Sequence, residues 1–250
     1  MMRVKSRYTD GTYLSDTGDW HEGDAEWKAR HVLEMLDRAD YRPSSICDIG
    51  CGSGGLLAYL HQHLRETGSF TGYDISPQAI SLAKNKTKAD LEFYSENFFD
   101  HCSKRFDMIL LIDVFEHVPD YLGFLERCRP YADCFIFHIP LELSALWIMR
   151  EWPILRRRRS VGHLHHFSKA TALETLQYCG YTINDSFYTA SGFQPHDCSL
   201  KATIRDLPKK MMFHLNADFT VKLMGGYSLM VRATPRQGQL TRLSDHYGCQ

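Results

Sequence analysis

Asp48, three glycines and Asp74 are the residues whose types and spacing first suggest chemistry. From Ile46 to Gly55 the chain reads Ile-Cys-Asp-Ile-Gly-Cys-Gly-Ser-Gly-Gly, an apolar run that meets glycines at Gly50, Gly52 and Gly54. Glycine tolerates dihedrals closed to other residues and lets a ligand approach the backbone. Amide groups at the start of a following helix then face whatever binds there. Asp74 stands 20 positions after Gly54, at the end of a second apolar run, where a carboxylate can accept hydrogen bonds from both hydroxyls of a ribose. The pattern is a nucleotide cradle. Its glycines alone fit two kinds of ligand, because Gly50, Gly52 and Gly55 also satisfy the dinucleotide pattern G-x-G-x-x-G. Asp48 separates them: a pyrophosphate would be repelled by a carboxylate two residues before the first glycine, with little water to screen it. A ligand carrying an ammonium and a sulfonium would be attracted. A turn that merely packs helix on strand explains the glycines but neither acid.

With Asp48, Gly50, Gly52 and Gly54 in place, the chain resembles the class I S-adenosylmethionine (SAM)-dependent methyltransferases, whose first motif is Asp/Glu-x-Gly-x-Gly-x-Gly. The resemblance makes SAM the cofactor and S-adenosylhomocysteine its product. It implies that Asp48 and the turn, including Cys51, hold the methionine end and that Asp74 holds the ribose, with Ile75 beside it. After the third strand the family usually places an Asp near the adenine. Here Glu96-Asn97-Phe98 occupies the position, so Asn97 and Phe98 join the expected cofactor set, with Glu96 as the substitute acid. The segment Phe106 to Val118 resembles the family's fourth-strand motif, including its Glu116-His117-Val118 ending. Asp113 is expected to emerge there facing the cofactor, and His117 to follow one turn later as a base or as a structural hydrogen-bonding residue.

Gly162-His163-Leu164-His165-His166-Phe167-Ser168 places three imidazoles before a helix. It resembles the His-x-x-x-Phe-Ser/Thr stretch of many family members, which implies His165 or His166 as a general base or substrate contact. The competing reading is a structural loop. No carboxylate or cysteine completes a spaced ligand set around these histidines, so no metal is expected. Arg156 to Arg159 form a run of four arginines. Such a run is usually a solvated face, but beside an active-site rim it would recognise an anionic acceptor bidentately.

The elements that must position these residues follow from periodicity. A helix over Glu26 to Leu36, within an amino-terminal lid at about 19–40, precedes a first strand near Ser45 to Ile49. Leu56, Leu57, Leu60 and Leu64 mark one helix face; Phe70 to Tyr73 is the second strand; Ser76-Pro77 caps a helix reaching about Lys86. Strands are expected at Leu91 to Tyr94, Phe106 to Ile112, Cys134 to Ile139, Tyr181 to Thr189 and Tyr227 to Ala233. Helices are expected at Tyr121 to Cys128 and from Ser168 to Cys179. Alternating strands and helices argue for an α/β fold with a parallel sheet covered on both faces. The resemblance makes this a Rossmann-like, doubly wound, seven-stranded, mostly parallel sheet whose last strand is antiparallel. One domain over 1–250 is expected, with its core at about 26–234, substrate-side insertions at about 141–167 and 191–226, and a disordered polar tail from Pro235.

A chain of 250 residues, 44% hydrophobic, has material for one substantial core. A formal net charge of −1 offers no bulk attraction to nucleic acid or acidic membranes. No Asn/Asp-Pro-Pro-Tyr/Phe/Trp motif of base-amine methylation follows the fourth strand, so a small-molecule acceptor is expected rather than DNA or RNA, with a sugar or secondary metabolite suggested by family likeness. The eight cysteines are scattered without Cys-x-x-Cys spacing, and neither a signal peptide nor a membrane span is evident, so a cytoplasmic protein with reduced thiols is expected. Two other readings stay open: a SAM-binding partner protein without turnover, and a nicotinamide-dependent Rossmann oxidoreductase.

Overall fold

The computed structural model describes residues 22–190 and 209–236. Seven strands form one sheet in the order β3-β2-β1-β4-β5-β7-β6. They are β1 (Ser45–Ile49), β2 (Ser69–Tyr73), β3 (Leu91–Tyr94), β4 (Phe106–Ile112), β5 (Ala132–Leu141), β6 (Tyr181–Thr189) and β7 (Tyr227–Pro235). Pairing through β3, β2, β1, β4 and β5 is parallel, whereas β7 runs antiparallel between β5 and β6. The doubly wound sheet with an antiparallel last strand is therefore observed as expected.

Side-chain alternation along β4 shows why both faces are covered. Met108, Leu110 and Ile112 enter one apolar cluster, with Val32, Leu36, Leu57 and Leu60 from the helices α1 (Glu22–Arg38) and α2 (Gly55–His63). Ile109 and Leu111 enter the other, with Leu125 of α5 (Tyr121–Cys128) and Leu176 of α8 (Lys169–Tyr178). A strand buried on both faces reads as a continuous apolar run, which is how Phe106 to Ile112 reads. Full burial of each such side chain contributes roughly 1.5–3 kcal/mol.

The caps fall where local chemistry puts them. Ser76 accepts from the Ala79 amide at the head of α3 (Pro77–Ala83), which continues as a tighter turn through Lys86. Ser168 and Thr171 form a reciprocal capping box on α8, and Gly180, at φ 82°, ends it. Several helices escaped the periodicity: those within the two insertions, and α4 (Phe98–His101), a single turn capped by Asn97.

The insertion after β5 contains α6 (Ala145–Arg150) and α7 (Trp152–Ser160). Its two ends meet, since the Leu143 amide donates to Phe167 O at 3.0 Å. Ahead of β7, residues 209–215 are helical as α9, and α10 spans Ala217–Met224. The tail expected to begin at Pro235 is corrected: β7 includes Pro235, and the Arg236 amide donates to Gly180 O. Residues 237–250, the first part of the second insertion and the start of the amino-terminal lid, before residue 22, lie outside the described residues. Among the described residues, no helix is long and apolar enough to cross a membrane, and the cysteines there, Cys47, Cys51, Cys102, Cys128, Cys134 and Cys179, are unpaired and buried.

Candidate active site

A cavity of about 1310 Å³ opens at the carboxyl ends of β1, β2, β4 and β5, where ligands bind in sheets of this topology. Its size exceeds the roughly 300–1,000 Å³ of a typical single-ligand pocket. The glycine turn forms one wall. Gly50, Gly52 and Gly54 all have positive φ, and a Cβ on Gly50 would meet Val114 Cγ2 at 2.8 Å. The Gly50 amide donates to Tyr73 O at 2.7 Å, which ties the turn to the end of β2.

The two acids of the turn have different surroundings. Asp74 accepts from the Gly52 amide at Oδ2 (3.0 Å) and from the Ser76 amide at Oδ1 (2.8 Å). Burial pushes its carboxyl up, and the amides of Ser76, Gly52 and Ile75 oppose the rise. Asp48 is 3% exposed, and its Oδ1 has no hydrogen-bond partner among the described residues. Burial, then the Asp74 charge, push its carboxyl up to about 7. A buried carboxylate without a partner is costly, and a cationic group from the cavity side would satisfy it. The site therefore fits a ligand with an ammonium at Asp48 and hydroxyls at Asp74.

Cys51, Ile75, Asn97 and Phe98 also line the cavity. The Asn97 side chain is already engaged, however. Its Oδ1 accepts from the Phe99 amide and its amide donates to Asp100 Oδ2 at 2.8 Å.

Asp113 lies at the end of β4 with φ 55°, a left-handed backbone unusual outside glycine. It is the hub of a network that sequence reasoning missed. Lys28 Nζ from α1 lies 2.8 Å from Oδ2, and His138 Nδ1 from β5 lies 2.6 Å from Oδ1. His138 Nε2 in turn lies 2.8 Å from Thr189 Oγ1. Burial alone would raise the Asp113 carboxyl, but His138 and Lys28 hold it well below the usual range. Burial would lower Lys28, but Asp113, with Asp24 and Glu116, raises the ammonium.

The histidines separate. Leu164 and His165 amides both donate to Glu116 O, at 2.8 and 3.1 Å, and dock the histidine loop onto the turn after β4. This brings His117, His163 and His165 to the cavity wall. His117 Nδ1 lies 3.2 Å from Gly162 O, and burial followed by His163 pushes its imidazole down to about 3. His165 Nε2 lies 3.0 Å from Val118 O, with the ring 4.3 Å from that of Tyr121. His166 is not on the cavity wall; its Nδ1 lies 2.5 Å from Glu142 Oε2. Of the four arginines, Arg157 and Arg158 line the cavity, and Arg156 and Arg159 do not.

Comparison with known proteins agrees with this geometry. Residues 20–185 match the model of the methyltransferase domain family, and the chain belongs to that family, with the class I, Rossmann-like architecture of its SAM-dependent members. It is 26% identical over 122 residues to a ubiquinone biosynthesis O-methyltransferase of Vibrio parahaemolyticus, covering 44% of this chain and 51% of the relative. The chain thus spans about half the length of the curated relatives it matches. Among solved structures it superposes on the magnesium protoporphyrin IX methyltransferase of Synechocystis with bound SAM, with a TM-score of 0.60, 14% identity and coverage of 94% and 98% of the two chains. The plantazolicin methyltransferase in complex with S-adenosylhomocysteine and a desmethyl analogue gives a TM-score of 0.56 at 18% identity, covering 94% of each chain.

Proposed function

We propose that the protein is a SAM-dependent methyltransferase acting on a small molecule with an anionic group. The observation that carries the reading is Asp48 Oδ1, buried and unpartnered among the described residues at the glycine turn. In this reading Asp48 holds the ammonium of the donor, Asp74 its ribose hydroxyls, and Ile75 and Phe98 the apolar faces of the base, while Gly50, Cys51, Gly52 and Gly54 let the ligand lie on the backbone. Asn97, spent on capping α4, supports that wall rather than reading the adenine. SAM, bound there, supplies a methyl group on an activated leaving group. The remaining work of the protein is alignment and exclusion of water.

Lys28 and Asp113 close one side of the cavity, and His117 and His165 stand on the wall nearest the acceptor space. Arg157 and Arg158 supply positive charge on the insertion's side of that space, which supports a carboxylated or phosphorylated acceptor. By their names, the relatives above are methyltransferases of ubiquinone biosynthesis, of magnesium protoporphyrin IX and of plantazolicin, which supports a small-molecule acceptor without choosing among them.

Incubation with methyl-labelled SAM and fractionated small-molecule extracts tests the reading. Labelled product is expected in an anionic fraction. Binding of S-adenosylhomocysteine without any transfer would make the protein a SAM-binding partner instead, and saturable NADH uptake with no SAM binding would overturn the reading altogether.

A further inference from the structure

Glu116, His117 and His163 come from two separated segments and meet at the cavity wall, with one ligand-capable atom of each within 4.8 Å of the others. Glu116 is 1% exposed, and neither of its carboxylate oxygens has a hydrogen-bond partner among the described residues. Leaving such a group unsatisfied is expensive, so its conjunction with two imidazoles calls for a ligand.

Both imidazoles are oriented from behind. Nδ1 of His117 faces Gly162 O at 3.2 Å, and Nδ1 of His163 faces Glu142 Oε1 at 2.8 Å, which assigns ligation to Nε2 in each ring. A carbonyl or carboxylate on the far ring nitrogen is the arrangement that fixes metal-binding imidazoles. Glu142 is itself anchored by His166 at 2.5 Å and has Arg157 at 3.7 Å. His117 and His163 line the cavity, whereas Glu116 is buried and does not. An ion among the three would therefore have protein ligands on one side and open positions on the other. Two imidazoles and a carboxylate suit zinc, manganese or iron(II) better than magnesium or calcium.

We propose that Glu116, His117 and His163 form a divalent transition-metal site on the cavity wall, whose open positions take an oxygen donor of the acceptor. The role toward the acceptor rests on the methyltransferase reading; binding of the ion does not. The expectation of no metal came from spacing alone: the completing carboxylate lies 47 positions before His163, and only the docking of the histidine loop onto Glu116 O unites them.

The test is equilibrium dialysis of the untagged full chain against Zn²⁺, Mn²⁺ and Co²⁺ separately, with elemental analysis and the visible absorption of Co²⁺ as readouts. The parent is expected to hold about one ion and to show ligand-field bands with cobalt. Glu116→Gln and His163→Ala should each weaken binding by more than the roughly 10–100-fold expected for Glu142→Gln, which removes only an orienting partner. His61→Ala, outside the cluster, should bind as the parent does. Titration with S-adenosylhomocysteine reports whether each variant is folded and keeps the two readings apart. A parent that binds S-adenosylhomocysteine but no ion, or a folded Glu116→Gln that binds the ion undiminished, overturns the metal site and spares the methyltransferase reading. A parent that binds the ion but no S-adenosylhomocysteine does the reverse.

Discussion

Lys28 Nζ lies 2.8 Å from Asp113 Oδ2, so a side chain of the amino-terminal helix closes onto the end of the central strand β4. The contact makes α1 part of the cavity rather than a helix that merely precedes the core. Lys28→Met removes the ammonium paired with Asp113 and leaves its contact with His138. Hydrogen bonds to charged groups contribute about 1.5–3 kcal/mol, and a loss of that order is expected in urea unfolding. Amide exchange in α1 should quicken at the same time. Unchanged protection along α1 would show that the contact does not hold the helix in place.

Asp48 should make both stability and SAM binding depend on pH. Its folded carboxyl titrates at about 7 against an ordinary 3.8, so between those values the folded protein without ligand keeps a proton that the unfolded chain has lost. By linkage, stability falls as pH rises from about 4 to 7 and is level above. A cationic donor prefers the ionised carboxylate. SAM affinity should therefore rise toward pH 7, by at most about tenfold per pH unit, and level off above it. Asp48→Asn should flatten both profiles and bind SAM more weakly at pH 8. Calorimetry from pH 5.5 to 8.5 measures this, and a flat profile in the parent would remove Asp48 from the donor pocket.

Asp74→Ala deletes the side chain that accepts from both the Gly52 and the Ser76 amides at the turn. The expected loss is tenfold or more in SAM affinity, from a charged hydrogen bond of roughly 1.5–3 kcal/mol. Parent-like binding by isothermal titration would put the ribose elsewhere.

The arginine run divides by position. Arg157→Gln with Arg158→Gln should raise the acceptor KM roughly tenfold or more, with SAM affinity preserved, because both line the cavity. Arg156→Gln with Arg159→Gln should leave KM as it was. Equal effects from the two pairs would reduce the run to a general electrostatic surface.

Strand positions were legible because burial on both faces writes a continuous apolar run, as in Phe106 to Ile112, and capping writes a short polar signature, as in Ser76-Pro77 and Ser168. Asp48, Asp74 and the glycines were legible because one strand-turn-helix unit and the strand after it contain them all. The rest of the site is assembled over distance. Lys28 reaches Asp113 across 85 positions, His138 reaches it from a neighbouring strand, and Glu142 grips His163 and His166 from the base of an insertion. No local periodicity encodes such meetings. The α4 turn was missed for the opposite reason: four residues are too few to show a helical period.

The left-handed backbone at Asp113 narrows what this position can become. Glycine, asparagine and aspartate enter that conformation readily, whereas branched side chains meet their own carbonyls there. Saturation mutagenesis at residue 113 should accordingly return folded protein mainly from those three amino acids. Asparagine would keep the shape without the charge, and glycine would keep the bend without the side chain, so conformation restricts the available alphabet before chemistry makes its choice.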